Sequence, residues 1–259
     1  MDKIINIIKK IFYYFGFEIL RVKSRSKLLH PKYKAEILFW KSILIKYQEW
    51  YEGKIRLLYG EPCPNDISRV ISFDKQYSAI LTWLNIHQKV KYLEDLLLEK
   101  SAFDGLRILD IGSGPLPSAS TYLNCEIYCL DPLIPLYIEA GFPIHIYENR
   151  IKFVFGFSEQ MPFPDNYFDA IISVNAIDHV DDFDLTANEI KRVLKPGGKL
   201  RFHIHYHSKT ITEHLELNDA IVSSAFSWAE GFKKLSESKK KRGSIVEDSS
   251  ESYSLWSNF

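Results

Sequence analysis

The sequence predicts an α/β protein: a doubly wound, mostly parallel sheet carrying a helical extension at its N-terminus. Three observations carry that expectation. From residue 107 onward, short strand-like runs alternate with helical ones, the rhythm of parallel strands joined by helical crossovers. The first such run ends in a glycine-bearing turn, Gly112-Ser113-Gly114, at the carboxyl end of a strand, where open α/β sheets hold their ligands. Before residue 100 the apolar pattern is helical, interrupted by one Pro-rich break. With 259 residues, 46% of them hydrophobic and 25% charged, the chain has ample material for one large core with appendages.

Taken in order, residues 1–30 read as a basic amphipathic helix. Ile4, Ile5, Ile8, Ile11, Phe12 and Phe15 recur on one face, and residues 1–34 hold nine Lys or Arg against Asp2 and Glu18. Such a helix either lies in a membrane interface through residues 1–25 or packs on the domain or on a second copy in a homodimer. Lys9 and Lys10 interrupt the apolar run, so it is too short to span a bilayer, and no small-residue cleavage site follows it. Residues 31–100 read as a helical lid or substrate region, with helical runs from Tyr33 to Gly53 and from Ala79 to Lys100 around a Pro-rich break.

Residues 101–259 form the expected core and end in a strand, "ESYSLWSNF". Within it the strands fall at Arg107–Asp110, Glu126–Asp131, Ile151–Phe155, Ala170–Val174 and Lys199–His205. A helix from about Asp184 stops at Lys195-Pro196-Gly197-Gly198. A further helical segment is expected around 216–240, and "SESKKKRGSIVEDSSES" reads as a polar loop.

Formal net charge is zero, so no global field recruits nucleic acid. Cys63, Cys125 and Cys129 are too few for a disulfide framework. Cys125 and Cys129 sit just before and within the strand at Glu126–Asp131, where cysteine serves as a small hydrophobe, and the expected compartment is reducing, in the cytoplasm or at the inner face of its membrane.

The ligand of the glycine turn follows from charge. A dinucleotide site wants a third glycine and free backbone amides for a pyrophosphate. Here Pro115 removes a donor, Pro117 stands in the third position, and Asp110 precedes the first glycine by two residues. A carboxylate aimed at the ligand there disfavours phosphate and favours positive charge. The stretch "LDIGSGP" resembles the first motif of the class I methyltransferases that use S-adenosylmethionine, a cofactor with an ammonium, a sulfonium and no phosphate. Asp131, nineteen residues past Gly112, matches that family's acidic residue on the ribose hydroxyls. "GFSEQMPFPDNYFDAIIS" is similar to its third and fourth motifs and "EIKRVLKPGGKLRF" to its closing segment, in the small-molecule branch. The resemblance covers about residues 100–210 and implies a Rossmann-like fold. It also implies a cofactor site drawn from Asp110, Gly112, Ser113, Gly114, Asp131, Phe157, Ser158, Glu159 and Asn175. Phe157 departs from the family, which often has an acid there to meet the adenine amine; adenine then leans on Phe157, Ser158 or Glu159.

Methyl transfer asks the protein for orientation, and for a base where the acceptor is a hydroxyl. "NAIDHVDDF" follows the fourth strand and puts Asp178 and His179 beside the reacting methyl. His179 is a candidate base, with a structural role bonding a nearby loop as the alternative. "RFHIHYHS" puts His203, His205 and His207 on one strand face. His207 falls past the strand end within reach of the acceptor, while His203 lies deeper, in the core. No metal is expected: a strand spaces same-face residues ~6–7 Å apart, too far for a site made with Asp178 or Asp181. No nucleic-acid substrate is expected, since the chain lacks the Pro-Pro-Tyr segment that grips a flipped base. The expected acceptor is a small molecule, with O-methylation of a sugar or surface glycan (polysaccharide modification) ahead of a lipophilic quinone-like or natural-product acceptor. A fold relative acting as a partner protein without turnover is the third possibility.

Overall fold

Among the described residues, seven strands form one sheet in the order β3-β2-β1-β4-β5-β7-β6. The strands are β1 (Arg107–Ile111), β2 (Glu126–Asp131), β3 (Ile151–Phe155), β4 (Phe168–Val174), β5 (Leu194–Tyr206), β6 (Lys233–Ser238) and β7 (Ser252–Ser257). The helices are α1 (Pro31–Tyr51), α2 (Lys89–Leu96, continuing a π turn over Leu84–Gln88), α3 (Ile134–Glu139), α4 (Phe183–Val193) and α5 (Asp219–Ala225). This computed structural model describes residues 30–51, 81, 83–142, 144, 149–210, 213–239 and 251–259. The expected N-terminal amphipathic helix up to residue 29, Cys63 with its Pro-rich segment, and residues 240–250 of the polar loop lie outside the described residues. No described helix is long and apolar enough to cross a membrane.

Strands β1 to β5 run parallel, and β7 enters antiparallel between β5 and β6. Period-two alternation sends each strand's side chains to two cores. Leu109, Ile111, Tyr128, Leu130 and Ile171 meet Phe183, Ala187, Ile190 and Val193 of α4 and Phe226 beyond α5. Ile108, Ile127, Cys129, Ala170, Ile172 and Val174 meet Tyr92 and Leu96 of α2, with Phe103 and Tyr122. Cys125 and Cys129 are both free and buried in that second layer, as small hydrophobes. Helix α4 begins where Asp182 Oδ1 accepts from the Leu185 amide at 2.9 Å, a side-chain N-cap.

Two differences from the expected elements have physical causes. Lys195–Gly198 stop α4 as anticipated, but strand pairing resumes at once. Leu194 pairs with Phe168 and Lys199 with Ala170, so the Pro-Gly-Gly turn bulges out of a long β5. The helical segment expected at 216–240 is a correction: only Asp219–Ala225 is helical, and Lys233–Ser238 is an edge strand. The helix is already capped at Phe226, Gly231 at φ +75° turns the chain just before the strand, and pairing with β7 overrides the local propensity of a Lys- and Glu-bearing stretch.

Arg201 of β5 locks α2 to the far end of the chain. Its guanidinium donates to the carbonyls of Leu96 at 2.7 Å, Leu97 at 3.2 Å and Phe259 at 3.1 Å. Leu97 is a left-handed C-cap at φ +50°, so these bonds hold a strained helix end. Arg201→Met keeps the stem and removes three charge-assisted bonds. The expected loss is roughly 2–3 kcal/mol, read as a lower urea midpoint; an unchanged midpoint would count against this role.

Candidate functional site at the carboxyl ends of the strands

Strand β1 delivers its glycine turn beside the end of β2, and four consequences follow. Gly112 sits at φ +70°, where a Cβ would stand 2.2 Å from the Ala176 Cβ, so only glycine fits between β1 and the loop after β4. Gly114, at φ +66°, has the Trp40 indole of α1 packed on it; a Cβ there would meet Cζ2 at 2.9 Å. The prolines that follow reduce the next helix to a short 3₁₀ turn, Ser118–Thr121. Asp131, closing β2, accepts from the Gly114 amide at 2.9 Å through Oδ2 and from the Leu133 amide at 2.8 Å through Oδ1. Burial pushes the Asp131 carboxyl up to about 7 against the pull of those two amides, and the nearby Glu36 adds to the rise.

The other expected cofactor residues divide. Asp110, read as facing the ligand, is fully buried and takes the Tyr92 hydroxyl on both oxygens, at 2.9 and 3.1 Å. Burial drives its carboxyl well above the usual range, against that hydrogen bond. The side chain therefore braces the sheet against α2 rather than opening into the cleft, a correction to its expected direction. Ser113 is buried, its hydroxyl donating to the Gly114 carbonyl at 3.3 Å. Phe157 packs edge-on against Tyr33 of α1 and against Phe155. Ser158 bonds Thr186 at 3.2 Å, and Glu159 Oε1 accepts from the Asp181 and Asp182 amides at 2.6 and 3.3 Å. Those two residues thus hold the entry to α4. Asn175, at φ +49°, meets His203 Nδ1 at 2.7 Å; His203 is half-buried rather than in the core, and burial lowers its pKa.

Beyond β4 and β5 lies a polar cluster. Asp178 is buried to 1% exposure in the 3₁₀ turn Ile177–His179. His179 Nε2 stands 3.3 Å from both Asp178 Oδ2 and Glu213 Oε1. Burial depresses the imidazolium, but the Asp178 carboxylate, then Glu213 and Glu36, outweigh it and raise its pKa to about 9. A ring held protonated between carboxylates donates at neutral pH rather than accepting a proton. His207 is buried, with Nδ1 2.8 Å from the Ser208 carbonyl. His205 stacks flat on Tyr253 at 4.4 Å. The His205 and His207 rings stand 4.9 Å apart, closer than an extended strand spaces them, because β5 ends at Tyr206. The spacing argument against a metal therefore does not hold here. A groove of about 490 Å³ opens alongside, lined by Asp181, Phe183, His214, Leu217 and Ile221 among others.

Helix α1 supplies residues that motif reading did not reach. Lys32 is buried, pairs with Asp181 and donates to the His179 carbonyl at 3.2 Å. Tyr33, raised by burial and by Asp181, Glu159 and Asp131, lies among the carboxylates at the strand ends. Trp40 donates to Glu36 at 2.8 Å and packs on Trp83 and Tyr137. The aromatic content of this stretch was the one signal available in the sequence.

Residues 109–202 match the methyltransferase domain family. The sheet order and the glycine turn of that region are those of a Rossmann-like methyltransferase fold. Among curated relatives, the sterol 24-C-methyltransferase ERG6B of Gibberella zeae is 48% identical over 101 residues, 36% of this chain and 26% of its own length. The ubiquinone/menaquinone biosynthesis C-methyltransferase UbiE of Hahella chejuensis is 35% identical over 109 residues, 42% of this chain and 38% of its own length. The chain thus spans well under half the length of these relatives. Among solved structures, the YcgJ protein of Bacillus subtilis superposes with TM-score 0.51 at 16% identity over 66% of this chain and 97% of that one. The PH0226 protein of Pyrococcus horikoshii does so with TM-score 0.50 at 20% identity over 72% and 99%. Both likenesses speak to the fold.

Proposed function

We propose that this chain binds S-adenosylmethionine at the glycine turn and transfers its methyl group to a small acceptor. One observation carries the reading: β1 ends in a turn left-handed at both Gly112 and Gly114, set beside Asp131, whose carboxylate accepts from the Gly114 amide. The residues suit that cofactor. Asp131 is placed to exchange a backbone amide for ribose hydroxyls, and Phe157 offers an apolar face for adenine. Bound there, the cofactor supplies an activated methyl on sulfur. The chain's own part is orientation and exclusion of water, which α1 serves through Tyr33 and Trp40. Trp40 rests on Gly114, so cofactor entry is coupled to the position of α1.

The acceptor lies toward Asp178, His179 and His207. That floor of carboxylates and imidazoles suits an acceptor rich in oxygen and supports the sugar or glycan reading, with O-methylation as the chemistry. The second reading, a lipophilic acceptor, is favoured by the sterol and quinone substrates in the names of the curated relatives. The apolar residues Leu38, Phe39 and Ile45, exposed on α1, point the same way. A cytoplasmic place beside the membrane fits either.

Calorimetric titration with S-adenosylmethionine, S-adenosylhomocysteine and NAD tests the cofactor. Binding of the first two alone is the expected result; binding of NAD, or of none, refutes it. Transfer of labelled methyl to sugar nucleotides or to quinone precursors then separates the two acceptors.

A further inference from the structure

Asp178, His205 and His207 converge from the turn after β4 and the end of β5. Each offers one ligand atom, and these atoms lie within 4.8 Å of one another. We infer that this cluster binds one divalent transition-metal ion through the Asp178 carboxylate, a ring nitrogen of His205 and Nε2 of His207.

Four observations support the site. Both Asp178 oxygens and His205 Nε2 are buried without a well-formed hydrogen bond; His179 Nε2 stands 3.3 Å from Asp178 Oδ2, and His205 Nε2 stands 3.2 Å from Glu251. A carboxylate at 1% exposure whose Oδ1 meets no donor is costly unless a cation meets it. His207 Nδ1 lies 2.8 Å from the Ser208 carbonyl; donating there, it leaves the Nε2 lone pair facing the cluster, the outer-shell arrangement that metal-ligating histidines show. The stack of His205 on Tyr253, with 2° between the planes, fixes the second ring. The surroundings point the same way: the Glu213 and Glu251 carboxylates stand 3.7 Å from His207 Nε2 and 3.2 Å from His205 Nε2, respectively.

Ligand type selects the metal. Two imidazoles with one carboxylate suit zinc, manganese, iron or cobalt, whereas calcium and magnesium ask for oxygen alone. Bonds of ~2.1 Å set ligands ~3–4 Å apart, within reach of small side-chain rotations here. Glu213 Oε2, 3.7 Å from His207 Nε2, is positioned as a fourth ligand. Three protein ligands with an exchangeable fourth leave a position for an oxygen of the acceptor. That last step rests on the methyl-transfer reading; metal binding itself does not.

The test uses the untagged chain, stripped with chelator and titrated with Zn²⁺ and Mn²⁺ by calorimetry, and with Co²⁺ followed by its visible absorption. One ion per chain, with cobalt bands of a nitrogen- and oxygen-ligated site, is expected. The double variant His205→Gln/His207→Gln, with far-UV circular dichroism unchanged, is expected to weaken binding by more than the ~10–100-fold that loss of an outer-shell partner costs. Absence of stoichiometric uptake by the wild-type chain overturns the site whatever the variants do, as does uptake that the double variant retains. Metal uptake without S-adenosylmethionine binding would keep the metal site and refute methyl transfer; the reverse pattern would do the opposite.

Discussion

Gly112→Ala is expected to abolish cofactor binding and to destabilise the fold. Two independent costs meet at this position. The left-handed backbone, φ +70°, costs a residue with a Cβ roughly 1–3 kcal/mol. The overlap with the Ala176 Cβ, at 2.2 Å, adds an overpacking cost of ~1–3 kcal/mol. Neither side of the clash yields easily. Gly112 donates to the Leu130 carbonyl at 2.8 Å, and Asn175, just before Ala176, donates to the His203 carbonyl at 2.8 Å. Ile177, just after it, is fully buried. Gly105→Ala is the internal control: φ is +75° there and a Cβ meets nothing within 4 Å, so the backbone cost stands alone. Urea unfolding should show Gly112→Ala losing more stability than Gly105→Ala. Calorimetry should show S-adenosylmethionine affinity kept in the control and lost by tenfold or more in Gly112→Ala. Wild-type affinity in Gly112→Ala would mean that the cofactor does not use this turn.

The sheet was legible because its signals are local. The short apolar runs in "RILDI" and "EIYCLD" and the strand-ending Asp131 can be read without knowing what they pack against. The bounds of β2 and β3 match the sequence expectation residue for residue. What the sequence hid depends on partners far along the chain. Asp110 takes its direction from the Tyr92 hydroxyl, and nothing near "LDIGSGP" announces a tyrosine on α2. Strand β6 owes its form to β7, with most of the intervening segment outside the described residues, so its Lys- and Glu-bearing pattern reads locally as helix. The histidines of "RFHIHYHS" were placed on a straight strand, and the end of β5 at Tyr206 brings His207 back toward His205. In each case tertiary contact overrode a sound local rule.

Cofactor affinity should rise with pH through about 7, and Asp131 is the reason. The carboxyl is pushed up to about 7 by burial, with Glu36 adding to the rise and the Leu133 and Gly114 amides opposing it. Asp110, itself raised by burial, adds negative potential nearby only when ionised. A carboxyl whose folded-state pKa lies above its unfolded value stabilises the fold when protonated. That contribution is full below the ordinary carboxyl range and is lost as pH climbs toward 7, the reverse of a salt-bridged aspartate. Ribose hydroxyls donate, so they bind the ionised form. The unliganded chain must therefore lose its Asp131 proton before the cofactor binds, and affinity at pH 6 should be roughly tenfold below that at pH 8. Calorimetry across this window reads the slope. Asp131→Asn cannot ionise, and its amide replaces one of the two acceptors that Gly114 and Leu133 use. Its affinity should be low at every pH and its profile flat. The same slope in wild type and Asp131→Asn would assign the titration to the cofactor or to another group. A steep wild-type rise that the variant lacks would place the ribose on Asp131.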